Sequence, residues 1–263
     1  MLHIATVHFR TPQWIRVQVR ELRRHIEGEY RVWATLVEID PSYGSYFDRI
    51  VDHNGDRPKG VGCGVDHAGR LNLLAAEISR EADDDDILMF LDGDAFPIVD
   101  PAPLIAEGLA EAALLAIKRP ENCGDPHPHP CFCVTTVGTW RSLPGDWGEG
   151  HRWVGPRDEL ITDVGANLLL RLEETGTPWV PVLRSNRRDR HPLMFGVYGG
   201  AIYHHGAGFR YPLARVDMAH FDPKLPENRD ELYAIVERNR RSSEAFFARI
   251  ERDDPGWLAE LIQ

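Results

Sequence analysis

The chain has 263 residues, 43% of them hydrophobic and 27% charged, with a formal net charge of -11. These fractions suit a globular domain with a real core and exclude wholesale disorder, a collagen-like repeat and a disulfide scaffold. The acidic balance argues against indiscriminate binding to nucleic acid or an anionic membrane, and any phosphate ligand must meet a cation or a local cluster of donors.

In chain order, residues 3–9 read as a β-strand, and Thr11 followed by Pro12 as the start of a helix. Ile15, Val19, Leu22 and Ile26 form the single apolar face of that helix. Residues 30–39 read as a second strand and 46–51 as a shorter third. A stretch with Gly60, Gly62 and Gly64 leads to a helix over about 68–80, with Leu71, Leu74, Ala75 and Ile78 on one face. The fourth strand, 87–91, is apolar throughout, so it is expected at the centre of a sheet covered on both sides. The resulting β-α-β-β-α-β order predicts an open, mostly parallel α/β sheet, whose ligands bind beyond the carboxyl ends of the strands.

The second half is less regular. Residues 104–113 read as a helix, 114–118 and 131–136 as strands, and 120–130 as a proline-rich loop. Residues 140–155 read as a loop wall whose Trp140, Trp147 and Trp153 serve either as sugar-stacking faces or as core. Thr162 is expected to cap a helix over 163–174. Residues 178–183 and 196–205 read as strands, and the chain from 225 as helical, with Leu232, Val236, Phe246 and Ile250 on its buried side. The expectation is one domain over 1–263, divided into a nucleotide-binding part (1–100), an acceptor part (101–224) and a helical C-terminal extension (225–263).

No apolar run approaches the roughly 18 residues of a spanning helix, so no transmembrane segment is expected. The N-terminus shows neither a basic segment nor a cleavage site, and the four cysteines read as reduced thiols, which together predict a cytoplasmic protein. Cys123, Cys131 and Cys133, with His127 and His129, are zinc-type ligands. Their spacing matches no common finger, and the alternative is a loop shaped by Pro126, Pro128 and Pro130.

Just past the fourth strand stand Asp92, Gly93 and Asp94. Two carboxylates held this close repel unless a cation lies between them, which Mg²⁺ or Mn²⁺ can do while bridging to substrate phosphates. Gly93 is expected to keep the turn narrow enough for a phosphate to approach. The bland alternative is an ordinary Asp-Gly turn.

Residues 87–97, ILMFLDGDAFP, resemble the DxD segment of the GT-A superfamily of nucleotide-sugar glycosyltransferases. The preceding VDHAGRLNLLAAEIS is similar to the helix start found before that segment in many bacterial members. The resemblance implies a GT-A-type, Rossmann-like, mostly parallel twisted sheet with helices on both faces. It implies Asp92 at the ribose or metal, Asp94 on a divalent metal (Mn²⁺ or Mg²⁺), and a histidine ligand late in the domain. His205, with Gly208 and Arg210 after it, resembles that ending, although the spacing of the basic residue departs from the family. His204 is the alternate, because neighbouring side chains on a strand face opposite ways.

A carboxylate at a helix start after the DxD would serve an inverting enzyme as base, and Asp163 is the candidate; capping alone would also place an acid there. Donor contacts are expected from His8 and Arg10 at the end of the first strand, Asp52 at the end of the third, and His67, Arg70 and Asn72 at the start of the helix before the DxD, along with Asp92 and Gly93. The implied activity is metal-dependent transfer of a sugar, of hexosyl type, from a UDP- or GDP-sugar to an unknown acceptor hydroxyl. Two rivals remain. A sugar-phosphate nucleotidyltransferase would usually carry a glycine-rich basic loop after the first strand, absent from HFRTP at 8–12. A non-catalytic nucleotide- or glycan-binding protein of the same fold would not need the intact aspartate pair.

Overall fold

The computed structural model describes residues 1–52, 61–155, 158–191, 193–206 and 229–263. Gly60, Gly208, Arg210 and Leu225 lie outside the described residues.

Strands β1 (Leu2–Phe9), β2 (Tyr30–Val37), β3 (Arg49–Asp52) and β4 (Ile87–Asp92) are joined by helices α1 (Gln13–His25) and α2 (Cys63–Glu81). Then follow β5 (Ala95–Pro97), α3 (Ala102–Glu111), β6 (Leu114–Ile117), β7 (His129–Thr136), α4 (Val137–Ser142), β8 (Trp153–Val154), β9 (Leu160–Ile161) and α5 (Ala166–Thr175). The chain closes with β10 (Trp179–Val182), β11 (Gly196–Tyr198), β12 (Ile202–His204), α6 (Arg229–Glu251) and α7 (Gly256–Ile262).

The main sheet has seven strands in the order β10-β6-β7-β4-β1-β2-β3. It is parallel except at β7, which runs antiparallel to both neighbours. The protein is thus an α/β fold with a mostly parallel sheet and a helical C-terminal end. β4 lies in the middle, as its unbroken apolar run requires. Its side chains alternate between faces: Leu88 and Phe90 join the core under α2, α4 and α5, while Met89 and Leu91 join the core on the other face. A second, three-stranded antiparallel sheet, β11-β12-β5, is covered by α1, α6 and α7 through Trp14, Phe96, Tyr203, Phe246 and Trp257.

Several local expectations shift. Thr11 does not cap α1; its hydroxyl donates to the Phe9 carbonyl, and Pro12 takes the cap position. Residues 41–46 form a 3-10 turn, because Asp40 accepts the Ser42 N–H and Pro41 starts the turn, so β3 begins later than expected. The expected strand 196–205 is a hairpin, broken by Gly199 and Gly200 at φ 56° and 66°. α5 begins at Ala166, because Gly165, at φ 99°, closes a turn in which the Ala166 N–H reaches the Asp163 carbonyl. Trp140 and Trp147 are core, stacked 5.7 Å apart against Phe90, and supply no sugar-stacking wall. On the C-terminal helix, Phe246 and Ile250 are buried as expected, Phe247 joins them, and Val236 is half-buried.

Among the described residues, no helix is long and apolar enough to cross a membrane.

Candidate metal centre

β4 ends at Asp92, the chain turns through Gly93 and Asp94, and β5 starts at Ala95. β5 then pairs antiparallel with β12, in a register that sets His204 opposite Ala95. This pairing carries His204 to the aspartates from the far half of the chain. His204 Nε2 lies 3.4 Å from Asp94 Oδ1 and 3.8 Å from Asp92 Oδ2. One ligand atom from each of the three residues falls within 4.8 Å of the others.

The three residues fit a divalent ion. Two carboxylate oxygens and one imidazole nitrogen are a donor set that Mn²⁺ accepts and Mg²⁺ tolerates, and the spacing needs only a small contraction around six-coordinate geometry. Among the described residues, His204 Nδ1 is buried without a hydrogen-bond partner. Burial works against charge on Asp94, but the facing His204 outweighs it and holds the carboxyl down at about 2. Asp94 is therefore ionised at neutral pH and ready to act as a ligand.

The structure corrects the choice of histidine. His205 lies wholly in the core, its Nδ1 2.8 Å from the Tyr203 hydroxyl and its Nε2 2.8 Å from Ser243 Oγ. The rings of Trp14 and Phe195 pack on it at 4.7 and 5.1 Å. Strand alternation sends His204 to the aspartates, and Tyr203 and His205 into the core beneath α6.

The expected donor residues divide. His67, early in α2, places Nε2 3.0 Å from Asp92 Oδ1, so it holds one carboxylate of the cluster. Burial opposes its protonation, but the bond to Asp92 and the charges of Asp92, Asp163 and Asp94 prevail and raise its pKa. Asp163 accepts the Val164 N–H in the turn before α5, and its charge reaches both His67 and His127. Arg10 is exposed at the end of β1 and forks onto Glu38 at 2.5 and 2.9 Å.

Four residues expected at the donor make contacts within the protein. Arg70 is buried between Asp52 and Asp66, 3.0 Å from each. That ties Asp52 as well as Arg70. Asn72 donates to Asp146 and accepts the Trp147 N–H, which tethers the 146–148 loop to α2. His8 is buried, with Nε2 3.0 Å from Gln18 Oε1. Burial drives its pKa down to about 4, against the Gln18 bond and the aspartate charges, so it is neutral at pH 7. Gly93 also has a packing role that was not expected. A Cβ there would lie 2.7 Å from His8 Nδ1 and from the Val7 carbonyl, so the glycine lets the turn pack onto β1.

The zinc-type residues do not converge. Cys131 and Cys133 point into the cores on opposite faces of the sheet. His127 lies 2.6 Å from Asp125, both fully buried, and His129 faces Arg119 at 3.3 Å.

Sequence reasoning missed two features of the site. One is β5, whose three residues carry too little pattern to announce a strand. The other is Gln18, a polar residue on the buried face of α1 that donates to the Asp92 and Ala95 carbonyls. A glutamine among the apolar positions 14, 15, 17, 19 and 22 was the available signal.

No protein-family model matches the sequence, and no curated protein sequence is significantly similar to it. Solved structures that resemble part of the chain include glycosyltransferases. A mannosyltransferase from Pyrobaculum calidifontis, in complex with GDP-Man and Mn²⁺, is 12% identical over 68% of this chain and 54% of its own, with a TM-score of 0.46. S. aureus TarS in complex with UDP is 10% identical over 56% of this chain and 50% of its own, with a TM-score of 0.39. The galactosyltransferase LgtC, in complex with donor and acceptor sugar analogues, is 13% identical over 54% of this chain and 60% of its own, with a TM-score of 0.37. The chain thus spans between half and two thirds of the length of each.

Proposed function

We propose that the protein is a metal-dependent glycosyltransferase of GT-A type, moving a sugar from a nucleoside-diphosphate sugar to an acceptor hydroxyl. The observation that carries this reading is the convergence of Asp92, Asp94 and His204 at the carboxyl end of the central strand, where ligands of such sheets bind. The DGD turn after an apolar strand, with its resemblance to the GT-A segment, supports the same reading.

Asp92, Asp94 and His204 would hold the ion, and His67 would keep Asp92 turned towards it. When bound, a divalent cation neutralises the charge that develops on the leaving diphosphate. Arg10, exposed at the end of β1, is the basic side chain on the donor side, and to meet a diphosphate it must exchange Glu38 for the ligand. In an inverting transfer, Asp163 takes the acceptor proton as the acceptor oxygen bonds to the anomeric carbon, and the diphosphate leaves with the electrons of the broken bond. Its support is its place in the turn before α5, where its charge reaches His67 on the cluster.

The test is thermal-shift binding of UDP and GDP with and without Mn²⁺. Wild type should be stabilised by nucleotide only when Mn²⁺ is present, and Asp94→Ala should lose the effect while keeping its fold. Equal nucleotide affinity in the two proteins rejects the reading.

A further inference from the structure

We propose that Gln18 is a positioning residue for the candidate metal centre, clamping the ligating turn from behind with the donor half of its amide. This rests on the metal reading above and adds a residue outside the cluster.

Gln18 sits on α1 with no exposed surface. A primary amide has two donor hydrogens and an acceptor oxygen with two lone pairs, and here all four are used. Nε2 donates to the Asp92 carbonyl at 2.7 Å and the Ala95 carbonyl at 2.8 Å. Oε1 receives the Thr6 hydroxyl at 3.2 Å and His8 Nε2 at 3.0 Å. The two carbonyls bracket Gly93 and Asp94, so a single side chain spans the whole ligating turn. The amide has only one workable orientation. Flipped, its oxygen would face two carbonyls and its NH₂ would face His8 and Thr6, losing both bonds to the turn.

The same bookkeeping determines the tautomer of His8. The amide hydrogens are spent on carbonyls, so His8 must carry its proton on Nε2, leaving Nδ1 bare against Gly93. One glutamine thereby holds the position of the Asp92–Asp94 turn on two strands, β1 through Thr6 and His8, and β4 through Asp92. The cluster depends on this turn, because two of its three candidate ligands, Asp92 and Asp94, stand on it. Losing the clamp releases the aspartate backbone and with it the ligand spacing.

A buried glutamine can also serve stability alone, and the variants separate the two roles. Gln18→Met keeps the side chain's length and removes all four bonds. Thr6→Val removes one bond from the acceptor half, in the same buried network, and leaves both bonds to the turn. Mn²⁺ affinity is read by electron paramagnetic resonance of free Mn²⁺, and the His8 tautomer by imidazole ¹⁵N shifts in metal-free protein at neutral pH. Expected are at least a tenfold loss of Mn²⁺ affinity in Gln18→Met, a change within twofold in Thr6→Val, and an Nε2–H His8 in wild type. If Gln18→Met does not fold, Gln18→Glu replaces it. Glutamate keeps the acceptor half and supplies at most one of the two donors, so its Mn²⁺ affinity should also fall. Wild-type Mn²⁺ affinity in a folded Gln18 variant overturns the proposal, as does a wild-type His8 protonated on Nδ1. A wild type that binds no Mn²⁺ at all overturns the metal reading instead.

Discussion

Exchanging each of the two adjacent histidines for alanine should produce opposite phenotypes. His205→Ala takes the ring from the buried Tyr203 hydroxyl and from Ser243, and a buried hydroxyl left unsatisfied at Tyr203 costs about 1–3 kcal/mol. It also opens a cavity beside Trp14 and Phe195. The expected total is about 3 kcal/mol or more, a large share of the 5–15 kcal/mol that holds a typical domain together. His204→Ala removes a ring whose Nδ1 has no hydrogen-bond partner among the described residues and whose Nε2 faces the two aspartates, so its midpoint should move far less. On the proposed assignment it deletes one ligand of three, and Mn²⁺ affinity should fall at least tenfold, or about 1.4 kcal/mol. Urea denaturation and Mn²⁺ titration on the same preparations read both quantities. Folded His205→Ala should bind Mn²⁺ within about threefold of wild type. If His205→Ala weakened Mn²⁺ more than His204→Ala did, the strand-facing argument would fail.

Asp163→Asn should lower turnover by orders of magnitude with donor affinity nearly unchanged, since Asn preserves shape but takes no proton; turnover within about threefold of wild type would reject the base. Gly93→Ala should cost about 1–3 kcal/mol by driving a methyl into His8 and the Val7 carbonyl. Gly69→Ala, on α2 with nothing within 4 Å of the new methyl, should instead stabilise by about 0.5–1 kcal/mol, and denaturant melts that rank the two otherwise would contradict the packing. His191 accepts the N–H groups of Leu193 and Met194 on Nδ1, and burial, with the nearby Arg184, holds its pKa at about 4. A folded pKa below the unfolded 6.5 makes this contribution complete above pH 6.5 and progressively lost as pH falls towards 4. His191→Asn keeps an acceptor oxygen without that titration, so it should flatten the stability slope between those pH values by up to one proton. An unchanged slope would show that the ring does not titrate there.

Much of the first half of the fold was legible in the sequence. The unbroken apolar run of β4 announced a central strand, and the spacing of Leu71, Leu74, Ala75 and Ile78 announced the buried face of α2. The aspartate pair was found by its place at the end of that strand. The roles around it were harder to read. His67, Arg70 and Asn72 share one helix and similar chemistry, yet one holds Asp92, one bridges two carboxylates and one tethers a loop. Those differences lie in the partner, and the partner is in another segment.

By itself, the sequence determined what acts within a few residues: where strands and helices run, which helix faces are apolar, and that His204 and His205 must point apart. Periodicity and turn chemistry are local, so a single chain segment displays them. The tertiary structure decided which of the two histidines meets the aspartates, because that depends on β12 pairing with β5 and on α6 and α7 covering the opposite face. It likewise decided that Gly93 packs inward and that Gln18 reaches the turn. Such contacts join segments distant in sequence, and nothing in either segment alone encodes the register between them.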